Sequence, residues 1–262
     1  MRVGVIQSNY IPWRGYFDFI DSVDLFVFHD DLQYTKNDWR NRNQVLTAEG
    51  PQWLTVPVKH GTVNVKIEET PIDYAQDWAE KHVRQLETHY RRAPFLKTYL
   101  EPFAAIIHQK YPSISELNIT LCRWLMQMLD IHTPTMMSRD LKLTGKKTER
   151  LVDLFRKIGA TRYLSGPSAS AYLDVELLER NGIQVEYKSY DYPRYSQLGR
   201  EFHGAVSVLD LLLNTGPDAR HYLKSLTPDE VVIPADVLPQ PCLTSFGVSL
   251  MGDGVGTHAQ LG

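Results

Sequence analysis

One arrangement, met twice along the chain, narrows the possible folds more than any other feature. A short apolar run gives way to a polar loop, an amphipathic stretch and a second apolar run. Val3 to Ile6 reads as a buried strand, and Trp13 to Val23 carries apolar side chains at Trp13, Tyr16, Phe17 and Ile20, which is helical spacing. Asp24 to Phe28 reads as the next strand. Further on, Thr148 to Gly159 places Leu151, Leu154, Phe155 and Ile158 on one face, with Gly159 as a C-cap. Thr161 to Leu164 then reads as a strand, Ser168 to Asn181 as a helix ending at Gly182, and Gln184 to Tyr187 as a strand. Two such βαβ units predict an α/β fold with a mainly parallel, Rossmann-like sheet.

Between the units the pattern changes. Gln52 to Val58 and Thr62 to Ile67 read as two strands of a hairpin around Lys59-His60-Gly61. Asp77 to Tyr111 and Leu117 to Leu129 read as helices, interrupted near Pro94 and Pro112. The block of about 74–135 is therefore expected to be a helical insertion or lobe of one α/β domain spanning 1–227. From Pro228 onward Pro and Gly dominate, no periodicity survives, and 228–262 reads as an irregular extension. Its Gly252-Asp253-Gly254-Val255-Gly256 has neither a preceding strand nor a following helix, as a dinucleotide-binding loop requires.

Composition bounds the function. Twenty-eight basic against 31 acidic residues give a formal charge of −3, so no global field draws nucleic acid. Cys122 and Cys242 fit no metal or redox spacing and suggest a reducing compartment. No apolar run approaches the ~20 residues of a membrane span, and the N-terminal run is too short for a secretory signal. The expectation is a cytoplasmic protein, possible as a homodimer, with a small-molecule or carrier-bound substrate and neither nucleic-acid nor membrane partner.

Ligands of open α/β sheets bind beyond the carboxyl ends of the strands. Four loops there are dense in aromatic and hydrogen-bonding side chains: Gln7 to Gly15, His29 to Asn43, Ser165 to Ser168 and Tyr190 to Tyr195. Gln7, Tyr10 and Trp13 are candidates for ligand contact or for capping the core. Asp30 is a candidate acid or base, or a cap or salt-bridge partner of Arg40 or Arg42. Neighbouring strand-end residues point apart, so at most one of Asp30 and Asp31 should face a given site. With His29 the two carboxylates are weak grounds for a metal, and none is expected. Arg42 between Asn41 and Asn43 offers a fork for carboxylate or phosphate, and Lys36 and Lys59 would make that corner anion-binding. Gln33, Tyr34 and Tyr195 join the substrate-binding candidates. Ser165 and Gly166 end a strand before a helix, where backbone N–H groups attract an oxyanion, or where a serine simply caps. His82 is a candidate base or a structural helix histidine, and Cys122 a buried core thiol.

These motifs in order resemble one family. Gln7 to Phe17, Asp24 to Val27, Asp30 to Tyr34, Asn41 to Asn43, Gln52 to Val58, Lys81-His82, Gly159 to Gly166 and Ser207 to Leu212 are similar to the WbqC-like proteins, over about residues 1–216. Ser8 stands where that family usually carries proline. The resemblance implies an enzyme of O-antigen or other secondary-pathway biosynthesis, with glycyl or other aminoacyl transfer to an amino sugar as the suggested reaction. On these grounds the expected function is an acyl- or aminoacyl-transferase that forms an amide, with no cofactor, and with Asp30, His82 and Ser165 as catalytic candidates. The alternatives are a nucleotide-dependent adenylyl transferase or ligase and a non-catalytic binding or scaffold protein.

Overall fold

Parallel pairing around the first strand organises the structure, a computed structural model that describes residues 1–59, 65–199 and 201–232. Strand β1 (Arg2–Ile6) pairs in parallel with β2 (Leu25–Phe28) on one side, with α1 (Arg14–Asp21) between them in sequence. An antiparallel hairpin follows, β3 (Arg42–Thr47) with β4 (Gly50–Thr55), and then three helices, α2 (Trp78–His89), α3 (Leu96–Ile107) and α4 (Ile114–Met128). The chain returns through β5 (Thr135–Met137), α5 (Lys147–Ile158), β6 (Arg162–Ser165), α6 (Val175–Arg180), β7 (Gln184–Tyr187), α7 (Val208–Thr215) and β8 (Glu230–Val231). The six-stranded sheet has the order β5-β2-β1-β6-β7-β8, parallel throughout except for β8. This is the mainly parallel α/β fold that the two βαβ units predict.

Strand alternation sorts side chains between two cores. Val3, Val5, Val27, Tyr163 and Val185 face one layer with Leu154, Phe155 and Leu178 of α5 and α6. Phe26, Phe28 and Leu164 face the other, with Phe17 and Phe19 of α1 and buried residues of α2, α3, α4 and α7. The inserted helices thus build one face of the domain. Gly4 is what lets α1 lie so close: a Cβ there would stand 2.3 Å from Cε1 of the fully buried Phe19.

Several local expectations change. The strand Gln52 to Thr55 pairs backwards with β3 across the Thr47–Gly50 turn, where Gly50 adopts φ +106°, rather than forward as the predicted hairpin. On its C-terminal side, Ile67–Glu69 is a 3-10 turn, and the expected strand at Thr62 to Asn64 lies outside the described residues. The helix predicted over 168–181 is two pieces, a 3-10 turn Pro167–Ala171 and α6, because Asp174 accepts from the amide of Leu177 and starts a new helix. The interruption expected near Pro94 is present: α2 ends at His89 and α3 begins at Leu96. Within the stretch from 228 that was expected to be irregular, Glu230 and Val231 form β8 against β7, and residues 233–262 lie outside the described residues. The glycine-rich Gly252 to Gly256 lies outside the described residues.

One interior contact joins the loop after β1 to α2. The Tyr10 hydroxyl donates to Nδ1 of His82 at 2.9 Å, and the ring N–H of His82 donates to the carbonyl of Thr55. Burial holds the imidazole neutral by lowering its pKa to about 4. The unfolded chain takes up this proton as pH falls below about 6.5, whereas the folded chain does not until about 4.

Two outcomes are expected. Gly4→Ala should destabilise the protein by about 1–3 kcal/mol in denaturant unfolding, because neither the sheet nor Phe19 has room to yield. Unfolding free energy should stay level above pH 6.5 and fall towards pH 4, with His82 contributing up to ~1.4 kcal/mol per pH unit. In His82→Gln that fall should be shallower, although the variant is less stable at neutral pH. Equal slopes in the two proteins would refute a neutral buried His82.

Candidate functional site

The chain moves outward from β1 to β2 and β5 on one side and later adds β6 and β7 on the other, so the sheet reverses direction between β1 and β6. Ligands of such sheets bind in the crevice at that reversal, beyond the carboxyl ends. Gln7 follows β1 there and Ser165 closes β6 beside it. The loop after β2 supplies Arg40, whose guanidinium donates to Oε1 of Gln7 at 3.0 Å and to Oδ1 of Asn9. Asp38 lies 3.6 Å from the same group. From α4, Asn118 fixes both loops by donating to the Arg40 carbonyl at 2.8 Å and to the Ser8 hydroxyl at 3.3 Å. An arginine held by two neutral amides and paired with Asp38 thereby sits at the reversal point.

The carboxylates of Asp30 and Asp31 diverge, although the two residues sit in the turn after β2 rather than on extended strand. Asp30 is fully buried: it accepts from the Ser8 amide at 2.7 Å and from the Ser115 hydroxyl at 2.5 Å. Asp31 turns the other way, accepts from Ser138, and pairs with Arg150 of α5. His29 sits 3.6 Å from Asp31 and accepts from Arg150 at 3.4 Å. Burial is the main reason that its pKa falls, to about 4, against the opposing pull of Asp31. Asp31 and Arg150 form one wall of an open cavity of about 610 Å³, which Gln33 also lines.

Beyond β6 and β7 the lining is aromatic. Trp13 packs against Tyr190 with 5.1 Å between ring centroids and edge-on to Tyr192 at 5.8 Å. Gly166 borders this group, since a Cβ built on it would meet only the Tyr190 hydroxyl, at 3.8 Å. Tyr192 donates to Asp18, which also pairs with the buried Lys188 at 2.8 Å. Burial drives the Tyr190 and Tyr192 phenols up, so both stay protonated.

The remaining candidates are dispersed. Asn41 and Asn43 occupy the inward face of the hairpin and donate to the carbonyls of Val56 and Tyr10, at 2.8 and 3.2 Å. Arg42, on the opposite face, stacks on Trp53 at 4.3 Å and donates to the Asn37 carbonyl. The three side chains therefore do not converge on one anion. Lys36 and Lys59 are exposed and Tyr34 is half-buried. Tyr195 is buried and donates to Asp210 at 2.7 Å, in a core network with Tyr90. Ser165 is buried and donates to the Tyr163 hydroxyl at 3.1 Å. His82 is interior, with both ring nitrogens engaged. Cys122 is buried as expected, and burial raises its thiol pKa.

Two groups went unread in the sequence. Arg40 entered only as an ion-pair partner, although its placement beside the Gln7 loop makes it the cation of the reversal point. The loop Lys142 to Lys147 was passed over, although a glycine, two lysines and a threonine at a helix start, Gly145 to Thr148, is a readable anion-binding signal. Among the described residues no three His, Cys, Asp or Glu side chains group as metal ligands would, and no helix is long and apolar enough to cross a membrane.

Comparison with known proteins identifies the family. The family model of the WbqC-like proteins matches residues 7–222, which includes every loop of the carboxyl edge. The chain is also 45% identical over 226 residues to the uncharacterized protein Rv1507c of Mycobacterium tuberculosis, covering 85% of this chain and 97% of that one. No solved structure matches. The chain belongs to the WbqC-like protein family.

Proposed function

We propose that the protein is a biosynthetic enzyme that transfers an acyl or aminoacyl group, glycyl or similar, to the amine of an amino sugar or comparable small intermediate. The observation that carries this reading is the reversal point at the carboxyl edge, where Gln7 and Asn9 of the loop after β1 hold Arg40 and, in the same loop, Trp13 packs on Tyr190. An arginine fork suits an anionic group of the substrate, and aromatic faces suit a sugar ring. Amine acylation also needs a proton acceptor and donors for the tetrahedral oxyanion. His29, neutral at pH 7 and beside Asp31, is the proposed acceptor, taking the proton at Nε2 when the substrate amine displaces the long Arg150 contact there. Ser165 and Gly166 are proposed to present the end of β6 to the oxyanion. On this reading Asp30 and His82 are positioning residues, acting through Ser8 and Tyr10.

A second reading, adenylyl transfer or ATP-dependent ligation, is favoured by a separate observation. The cavity of about 610 Å³ beside Asp31 is rich in lysine and arginine, which suits nucleotide phosphates.

The full-length protein incubated with aminoacyl and acyl donors and nucleotide-linked amino sugars should yield an amide product by mass spectrometry. Arg40→Ala should abolish turnover with its far-ultraviolet dichroism unchanged. His29→Gln should lower kcat by about 10² or more with little change in KM. Pyrophosphate release from ATP without amide formation would replace the transferase reading by the adenylyl one. Turnover unaffected in Arg40→Ala would remove the crevice from the mechanism.

A further inference from the structure

We infer that the cavity between the exits of β2 and β5 and the head of α5 is a binding site for an oligophosphate chain. Six cationic residues line it, Lys66, Arg139, Lys142, Lys146, Lys147 and Arg150, and Asp31 is the carboxylate among the lining residues. That carboxylate is already matched, since Arg150 pairs with it and Ser138 donates to it. Lys66 and Arg139 share Glu68, at 3.5 and 3.6 Å, with Glu69 and Asp140 close by at 3.8 and 3.9 Å. Lys142, Lys146 and Lys147 have no ion-pair partner among the described residues, and all three are exposed. Three unmatched ammonium groups in a run of six residues repel one another, and a phosphate chain relieves that repulsion.

The backbone supports the same ligand. Lys142 and Gly145 adopt φ of +49° and +78° in the loop, and Lys147, the first residue of α5, adopts +49°. The residue at the N-cap of α5 is Lys146, whose side chain offers no oxygen to the first-turn amides. An uncapped helix start on the wall of a cationic cavity favours an anionic oxygen there. A volume of about 610 Å³ exceeds what one orthophosphate needs and is of the size that small-molecule sites occupy. The site lies at the carboxyl edge of β2 and β5, on the same side of the sheet as the crevice but formed by different side chains. It stands on the cavity and its charge alone and does not depend on the transferase reading.

The test is calorimetric titration of the full-length protein with inorganic tripolyphosphate, orthophosphate, ATP and coenzyme A at low and moderate salt. Tripolyphosphate should bind at least tenfold more tightly than orthophosphate, and more weakly as salt rises. In the double variant Lys146→Ala/Lys147→Ala its affinity should fall tenfold or more, with the melting temperature of the free protein unchanged. Arg40→Ala, which tests the crevice, should leave tripolyphosphate binding intact. Preference for ATP would identify the source of the phosphate chain as a nucleotide donor, and preference for coenzyme A as a phosphopantetheine thioester; either supports the site. No binding of tripolyphosphate, binding no tighter than that of orthophosphate, or affinity unchanged in the double variant would overturn it.

Discussion

A single buried carboxylate holds the working edge of this protein together. Asp30 has no exposure to solvent, and its two oxygens take the Ser8 amide and the Ser115 hydroxyl, while its own carbonyl accepts from Glu68. Those partners belong to the loop after β1, to α4 and to the segment after the hairpin. A carboxylate in the interior is tolerated only when such donors replace water. The consequence is positional: Ser8 fixed on Asp30 sets the path of Gln7 to Trp13, and Asn118, one helical turn from Ser115, fixes the backbone of Arg40 against the same loop. Every polar group proposed to face the crevice from the β1 side hangs from this clamp.

The divergence of Asp30 and Asp31 divides the edge into two chemically different places. The two residues occupy the turn after β2, and their carboxylates serve different neighbours. Asp30 is spent inward on architecture. Asp31 is turned towards α5, where Arg150 and His29 gather around it. Alternation along extended backbone explains why Arg42 leaves its flanking asparagines: Asn41 and Asn43 share the buried face of the hairpin, and Arg42 lies on the face with Trp53.

Legibility followed the physical origin of each feature. Strands β1, β2, β6 and β7 and helices α1 and α5 could be read because apolar periodicity encodes burial directly, and Gly159 ends α5 in the left-handed conformation that its position demanded. The β3–β4 hairpin was hidden because its strand begins with Arg42 and Asn43, polar residues whose guanidinium and side-chain amide donate to loop carbonyls. The break before α6 was hidden in a sequence whose helical propensity continues, and Asp174 decides it locally. Site residues were harder. Gln7 could be located from its strand, but Arg40 is thirty-three residues away and meets it only through the tertiary fold. His82 illustrates the reverse case, a histidine whose chemistry is consumed by Tyr10 and Thr55.

Net charge concealed how unevenly the charges are placed. The formal value of −3 describes a nearly balanced chain. Around β7 the balance is local: Arg2 and Arg162 each meet Glu186 at 2.5 Å, and Lys188 lies between Asp18 and Asp229 at 2.8 and 2.9 Å. Such pairs cancel one another's field at short range and leave little for a distant ligand. At the head of α5 the cavity lining carries six cationic side chains against Asp31, and Lys142, Lys146 and Lys147 have no acid paired with them among the described residues, so their field persists across the cavity mouth. Opposite charges matched on one side of the sheet and unmatched on the other are how a chain with no global attraction for anions builds a local one. The same sum of charges, distributed evenly over the surface, would give the family's fold without a cationic cavity at its carboxyl edge.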